Sequence, residues 1–236
     1  MCGIFGVYSP LRVPLTVVEE LVEKNHSRGS SSFGYYTRWP RGESLHRELG
    51  DYNAESIVIP LSSTLLLFHG RAPTSGSRGL LGTQPFMSQR WVFGHNGILT
   101  SCPEGSPSQS DSSRFFDLIL SSLSPREAWI ETTSSSRGSL PSKVLGEAIA
   151  QASRDVDGQF ACFLYDREGE QLFLWRQMAP LFLSLNPVGS LIVFSSVKTS
   201  HSTSPVTPGE VVRVDLKSFR QEVVGTFPNR SIYQGV

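Results

Sequence analysis

Apolar residues in this chain collect in short runs, and the spacing inside each run predicts an element. Gly3 to Ser9 (GIFGVYS) is apolar and partly β-branched, and reads as a buried strand. From Pro14 to Lys24 the period changes. Leu15, Val17, Val18, Leu21 and Val22 share one helical face, and Pro14 suits a first turn. His26 to Gly34 is a polar Ser/Gly loop, followed by a short strand over Tyr35 to Trp39. Thr64 to His69 (TLLLFH) and Arg90 to Gly94 (RWVFG) predict two further buried strands, each ending in a glycine-containing turn. Ser110 or Asp111 is a good N-cap for a helix that buries Phe115, Leu118, Ile119 and Leu123. Ser101 to Ser110 and Ser124 to Ser142 read as Ser-rich connections, and Lys143 to Arg154 as a third helix. Four apolar runs follow: Gln159 to Tyr165, Gln171 to Trp175, Leu181 to Leu185 and Leu191 to Ser195. Turn residues separate them in the cadence of an antiparallel meander. Val211 to Val214 predicts a last strand, and the polar tail from Ser218 to Val236 carries no readable pattern.

Long apolar strands with few helices between them predict the α+β class, with two packed antiparallel sheets and helices outside. No repeat or domain boundary interrupts the chain, so residues 1–236 read as one domain. Its 236 residues are 39% hydrophobic and 18% charged, enough for a core and too apolar for global disorder. The formal net charge of zero argues against a nucleic-acid partner. No apolar run approaches the ~20 residues of a spanning helix. The first residues lack the basic region and long apolar stretch of a signal peptide. Cys2, Cys102 and Cys162 have neither metal nor redox spacing. These features predict a cytoplasmic protein with no membrane partner and no metal.

The candidate chemistry starts at residue 2. Removal of Met1 would leave Cys2 with a thiol and a free α-amine on one residue, a nucleophile and its own base. The amine titrates at roughly 7.7–8.0, so part of it is unprotonated near neutral pH. Amide cleavage by such a group needs an oxyanion site and a hold on the substrate. His95-Asn96-Gly97 offers a side-chain amide beside a glycine N–H; the same Asn-Gly pair also suits a plain hairpin turn. Arg71, with Thr74 three residues on, offers a bidentate carboxylate grip, or else a solvated loop arginine. Asp111 offers a partner for an ammonium, or else an N-cap. Arg28-Gly29 either braces the nucleophile or faces solvent, and Cys162 reads as core packing.

These segments, in this order, resemble the class II glutamine amidotransferases, a family of N-terminal nucleophile hydrolases. The likeness is strongest to the glutaminase domains of amidophosphoribosyltransferase and glucosamine-6-phosphate synthase. MCGIFGVYS is similar to the family's processed start, SRGSSSFG to its HRGxDSxG loop and HGRAPTSG to its HxRxxTxG segment. GTQPF with WVFGHNGIL resembles its QPF…HNGxL stretch, and SDSS its SDSE. The likeness covers residues 1–215 and leaves 216–236 as a tail. Ser27, Ser31, Ser75 and Ser113 depart from the family pattern.

The resemblance implies a four-layer αββα sandwich of two mainly antiparallel sheets and no cofactor. It implies that Cys2 attacks the side-chain amide of L-glutamine, forms a γ-glutamyl thioester and releases ammonia, and that water then frees glutamate. Asn96 and the Gly97 N–H would form the oxyanion hole, Arg71 with Thr74 would hold the α-carboxylate, and Asp111 the α-ammonium. Arg28, Gly29 and His95 would support the site. Ammonia would pass to a partner synthetase or transferase subunit, or to a further C-terminal domain. Two other readings stay open on the same scaffold: a free-standing γ-glutamyl hydrolase, and a silent regulatory module.

Overall fold

A computed structural model of the chain describes residues 2–72, 79–102, 109–133 and 141–230, with the backbone alone over 124–133. The elements run β1 (Gly3–Tyr8), α1 (Leu15–His26), β2 (Ser32–Trp39), β3 (Gly42–Leu49), β4 (Leu65–Arg71), β5 (Phe86–Met87), β6 (Trp91–Ser101) and α2 (Asp111–Thr133). There follow α3 (Ser142–Arg154), β7 (Asp157–Asp166), β8 (Gln171–Arg176), β9 (Phe182–Asn186), β10 (Leu191–Ser195), β11 (Ser204–Pro205), β12 (Glu210–Asp215) and β13 (Arg220–Thr226). A seven-stranded sheet has the order β11-β9-β10-β1-β4-β2-β3, and a six-stranded sheet the order β13-β12-β8-β7-β6-β5. The paired strands described are antiparallel throughout.

Period-2 alternation turns these sheets into layers, because successive side chains leave a strand on opposite faces. In β1, Phe5 and Val7 pack under α1 with Val17, Val18, Leu21 and Val22, while Ile4 faces the second sheet. In β7, Ala161, Phe163 and Tyr165 face the first sheet, while Phe160, Cys162 and Leu164 pack against Phe115, Ile119 and Ile149 of α2 and α3. Three apolar layers therefore lie between four structural ones: α1, two sheets, then α2 with α3. The central strands are apolar on both faces because both faces are covered. The result is the α+β, four-layer αββα sandwich that the sequence implied.

Several boundaries differ from the sequence reading. β4 and β6 do not stop at glycine turns. β4 continues through Gly70 to Arg71, and β6 runs unbroken through His95-Asn96-Gly97 to Ser101. A facing strand accompanies each along that stretch, so the Asn-Gly pair is spent on a ladder and not on a reversal. The expected meander is two hairpins in two sheets: β7 pairs β8 in one, and β9 pairs β10 in the other. β8 finds its second neighbour in β12 instead. The polar loop after α1 ends sooner than expected, since β2 begins at Ser32. The Ser124–Ser142 connection is helical as far as Thr133, where Arg126, Glu127, Ala128 and Glu131 are good helix formers. Leu15 is 51% exposed, and Asn25 takes the buried end of the α1 face. The tail contributes β13.

Candidate active site

The antiparallel register gathers the first group of residues. Gly3 lies opposite Gly70, so the start of β1 meets the end of β4. Ser32, the first residue of β2, lies opposite Arg71, which brings in the loop after α1. Cys2, Arg28, Gly29 and Arg71 thus meet at one end of the seven-stranded sheet. Cys2 is buried, and its thiol donates to the Ala72 carbonyl at 3.6 Å. Arg28 Nε donates to the Cys2 carbonyl at 3.1 Å, so this arginine braces the Cys2 peptide. Gly29 lies flat on the end of β4; a Cβ there would sit 2.6 Å from the Ala72 nitrogen. Burial pushes the Cys2 thiol above its ordinary pKa; the charge of Arg71 pulls it down, and that of Asp111 pushes it further up.

The second group stands on β6, which lies against β1 and β4 across the inter-sheet layer. Asn96 is opposite Ala161, an inter-sheet residue, so its side chain faces the first sheet. It is fully buried, and neither its amide nitrogen nor its amide oxygen has a hydrogen-bond partner among the described residues. Burying an amide without partners is unfavourable by about 1–3 kcal/mol, so a group in that state is usually aimed at something. Gly97 follows with φ of 147°, and a Cβ there would be 1.8 Å from the Gln159 carbonyl oxygen. Only glycine fits that step of the ladder.

His95 is held on three sides. Its N–H donates to Gln84 Oε1 at 2.7 Å, its carbonyl accepts from His69 Nε2 at 3.1 Å, and its Nδ1 lies 2.7 Å from Ser112 Oγ. The bond from His69 crosses from one sheet to the other. Its acceptor is a carbonyl, which assigns the His69 proton to Nε2. Burial lowers His69 to about 3 and His95 to about 4, so both rings are neutral. Ser110 Oγ accepts the Ser113 N–H at 3.2 Å and so caps α2, which leaves Asp111 as the first helical residue. The Asp111 carboxylate is docked on β6: Oδ1 accepts from the Ser112 N–H at 2.8 Å and Oδ2 from the Leu99 N–H at 3.3 Å. Thr74 lies outside the described residues. Among the described residues no group of three or more His, Cys, Asp or Glu side chains is placed to share a metal ion.

No protein-family model matches the chain, and no curated protein sequence matches it. Solved structures do share its architecture. A glutamine phosphoribosylpyrophosphate amidotransferase from B. subtilis is similar with a TM-score of 0.63 at 17% identity, over 95% of this chain and 49% of that one. A structure described as the allosteric regulatory enzyme of purine biosynthesis gives 0.69 at 17% identity, over 98% and 50%. The chain has a glutamine amidotransferase fold. It spans about half the length of those two proteins. A predicted glutamine amidotransferase from Pseudomonas aeruginosa PA01, with a TM-score of 0.53 at 18% identity, is matched over 92% of its length and 89% of this chain.

Sequence reasoning missed some neighbours of this site. Tyr52 is buried against Gly70, with its hydroxyl unpartnered among the described residues, and its pKa is raised by burial first and then by the charges of Asp51 and Cys2. Nothing in its local sequence, DYNA, marks it. Gly82 and Gln84 stand in the GTQPF stretch, which the resemblance had picked out without giving it a role.

Proposed function

We propose that this chain hydrolyses the side-chain amide of L-glutamine, using a Cys2 uncovered by removal of Met1. The ammonia then serves an acceptor site on a partner subunit or further domain. The observation that carries this reading is the Asn96 amide, fully buried, without partners among the described residues, and facing the sheet whose strand β1 follows directly on Cys2. The fold likeness to glutamine amidotransferases agrees with it.

On this reading each group has one role. Arg71 grips the α-carboxylate of glutamine with two parallel hydrogen bonds, the Thr74 hydroxyl adds a further contact to it, and Asp111 accepts from the α-ammonium. Burial keeps the Cys2 thiol protonated near neutral pH, so attack requires a base, and the freed α-amine is on the same residue. The sulfur bonds to the amide carbon while the amine takes the thiol proton. The oxyanion that forms is met by Asn96 Nδ2 and the Gly97 N–H. Collapse expels ammonia, which leaves with the proton that the amine held, and leaves a γ-glutamyl thioester. Water attacks the thioester, glutamate departs and the thiol is restored.

The test is glutamate release from L-glutamine by protein whose N-terminal mass has been recorded. Release is expected from chains that begin at Cys2 and is lost on Cys2→Ala, with an unchanged circular dichroism spectrum. Equal activity in the Cys2→Ala protein removes the nucleophile from Cys2. Absence of release from a correctly processed chain, with and without candidate acceptors, counts against glutamine as substrate.

A further inference from the structure

Residues Gly79–Gln84 form a tight 3-10 turn and its exit. The Gly82 N–H donates to the Gly79 carbonyl at 3.1 Å and the Thr83 N–H to the Leu80 carbonyl at 3.0 Å. Both sides of the turn are fastened. Thr83 Oγ1 donates to Ser32 Oγ at 3.0 Å, on the strand beside Arg71, and Gln84 Oε1 accepts the His95 N–H at 2.7 Å, one residue before Asn96. Between those anchors, Gly82 is buried against the head of Arg71. A Cβ on Gly82 would sit 2.7 Å from Nη1, 2.8 Å from Cζ and 2.8 Å from Nη2. Three atoms of one guanidinium at nearly equal range mean that its plane lies across the glycine Cα. Gly82 is not among the positive-φ glycines, so its backbone would accept an alanine. The three atoms nearest to such a Cβ all belong to the guanidinium.

We propose that Gly82 is a positioning residue for the substrate's α-carboxylate, the floor on which the Arg71 guanidinium is seated at its working height. The inference rests on the reading of Arg71 as the carboxylate grip. Arg71 is 5% exposed and its two donors share one rigid plane, so a head pushed off its floor carries both away from the carboxylate together. The guanidinium is also the mobile end of a long side chain, so displacement moves the grip and spares the fold. The fastened turn sets the height of the floor relative to the oxyanion strand, through Gln84.

Gly82→Ala is therefore expected to raise KM for L-glutamine about tenfold, with kcat within about twofold and the melting temperature nearly unchanged. With 4-aminobutanamide, which keeps the reacting amide and the amine but lacks the carboxylate, kcat/KM is expected to be the same in both proteins. In an Arg71→Ala background, adding Gly82→Ala is expected to change neither kinetics nor stability, since no guanidinium remains to be displaced. An unchanged KM for L-glutamine, an equal loss on both amides, or the same loss of stability with and without the Arg71 side chain overturns the proposal. Failure of the functional reading looks different. It appears in the unsubstituted protein as no glutamate release and, in the Cys2→Ala variant, no L-glutamine binding by calorimetry, and the proposal falls with it. Activity in the unsubstituted protein with an indifferent Gly82→Ala overturns the seat alone.

Discussion

Residue by residue, the site combines groups whose chemistry announces them with groups that only packing reveals. Cys2, Arg71 and Asn96 stand out in the sequence only in combination: a thiol at residue 2, an arginine after a strand and an Asn-Gly pair are each common alone, and it is their order along one chain that singles them out as candidates. Gly82 and Tyr52 are not, since a glycine under a guanidinium looks like any turn glycine and a hydroxyl beside Gly70 looks like any core tyrosine. His69 and His95 make a measurable statement. Both are neutral when folded, lowered by burial to about 3 and about 4, whereas an unfolded histidine titrates near 6.5. As pH falls below about 6.5 the unfolded chain takes up protons that the folded one refuses. Stability therefore drops through that window and is level above it. Urea midpoints at pH 7, 6 and 5 should fall in that order, above the range where carboxylates titrate, and His69→Gln should flatten the slope. Identical slopes in the two proteins would mean that His69 is not held neutral.

Among elements, legibility follows burial. β1, β4, β7, β8 and β10 could be read because both of their faces are apolar. β3 (GESLHREL) could not, since it is an outer strand with a polar, partly exposed sequence. The Ser-rich composition of 124–142 masked the second half of α2 in the same way. The join between α1 and the sheet was equally hidden, because it is polar. Asn25, fully buried at the end of α1, donates from Nδ2 to the Leu21 carbonyl at 2.8 Å and to Ser195 Oγ at 3.1 Å, and its Oδ1 accepts from Ser196 Oγ at 3.0 Å. Ser196 Oγ in turn accepts the Ile4 N–H at 3.0 Å. One side chain thus ties α1 and β10 to the start of β1, two residues from Cys2. Asn25→Ala strands these hydroxyls and is expected to lower stability by about 2–3 kcal/mol in chemical denaturation, with an unchanged m-value. A loss below about 0.5 kcal/mol would show that the network is incidental.

At the scale of the molecule, the last strand belongs to the core despite its polar sequence. Val224 of β13 packs in the layer beneath α2 and α3, the Phe227 ring stacks on Phe160 at 6.0 Å, and β13 approaches α3 at backbone range, where a Cβ on Gly225 would be 2.3 Å from the Gly146 carbonyl oxygen. A chain ending at residue 215 is therefore expected to lose β13's cover, bind a hydrophobic dye and melt about 10 °C lower or aggregate. An unchanged melting temperature would make the strand an ornament of the sheet edge.

The two halves of the proposed site stand on different sheets, with Cys2 and Arg71 on one and Asn96 on the other. The hydrogen bond from His69 to His95 is one strut between them, and the turn fastened to Ser32 and His95 is another. Nothing in either sheet alone sets the gap that a substrate must bridge. That gap is a thickness, and it is filled by the bulk of Ile4, Leu67, Ala161 and Phe163. A methyl group gained or lost in that layer would shift the two halves of the proposed site against each other while every side chain proposed to react stayed the same.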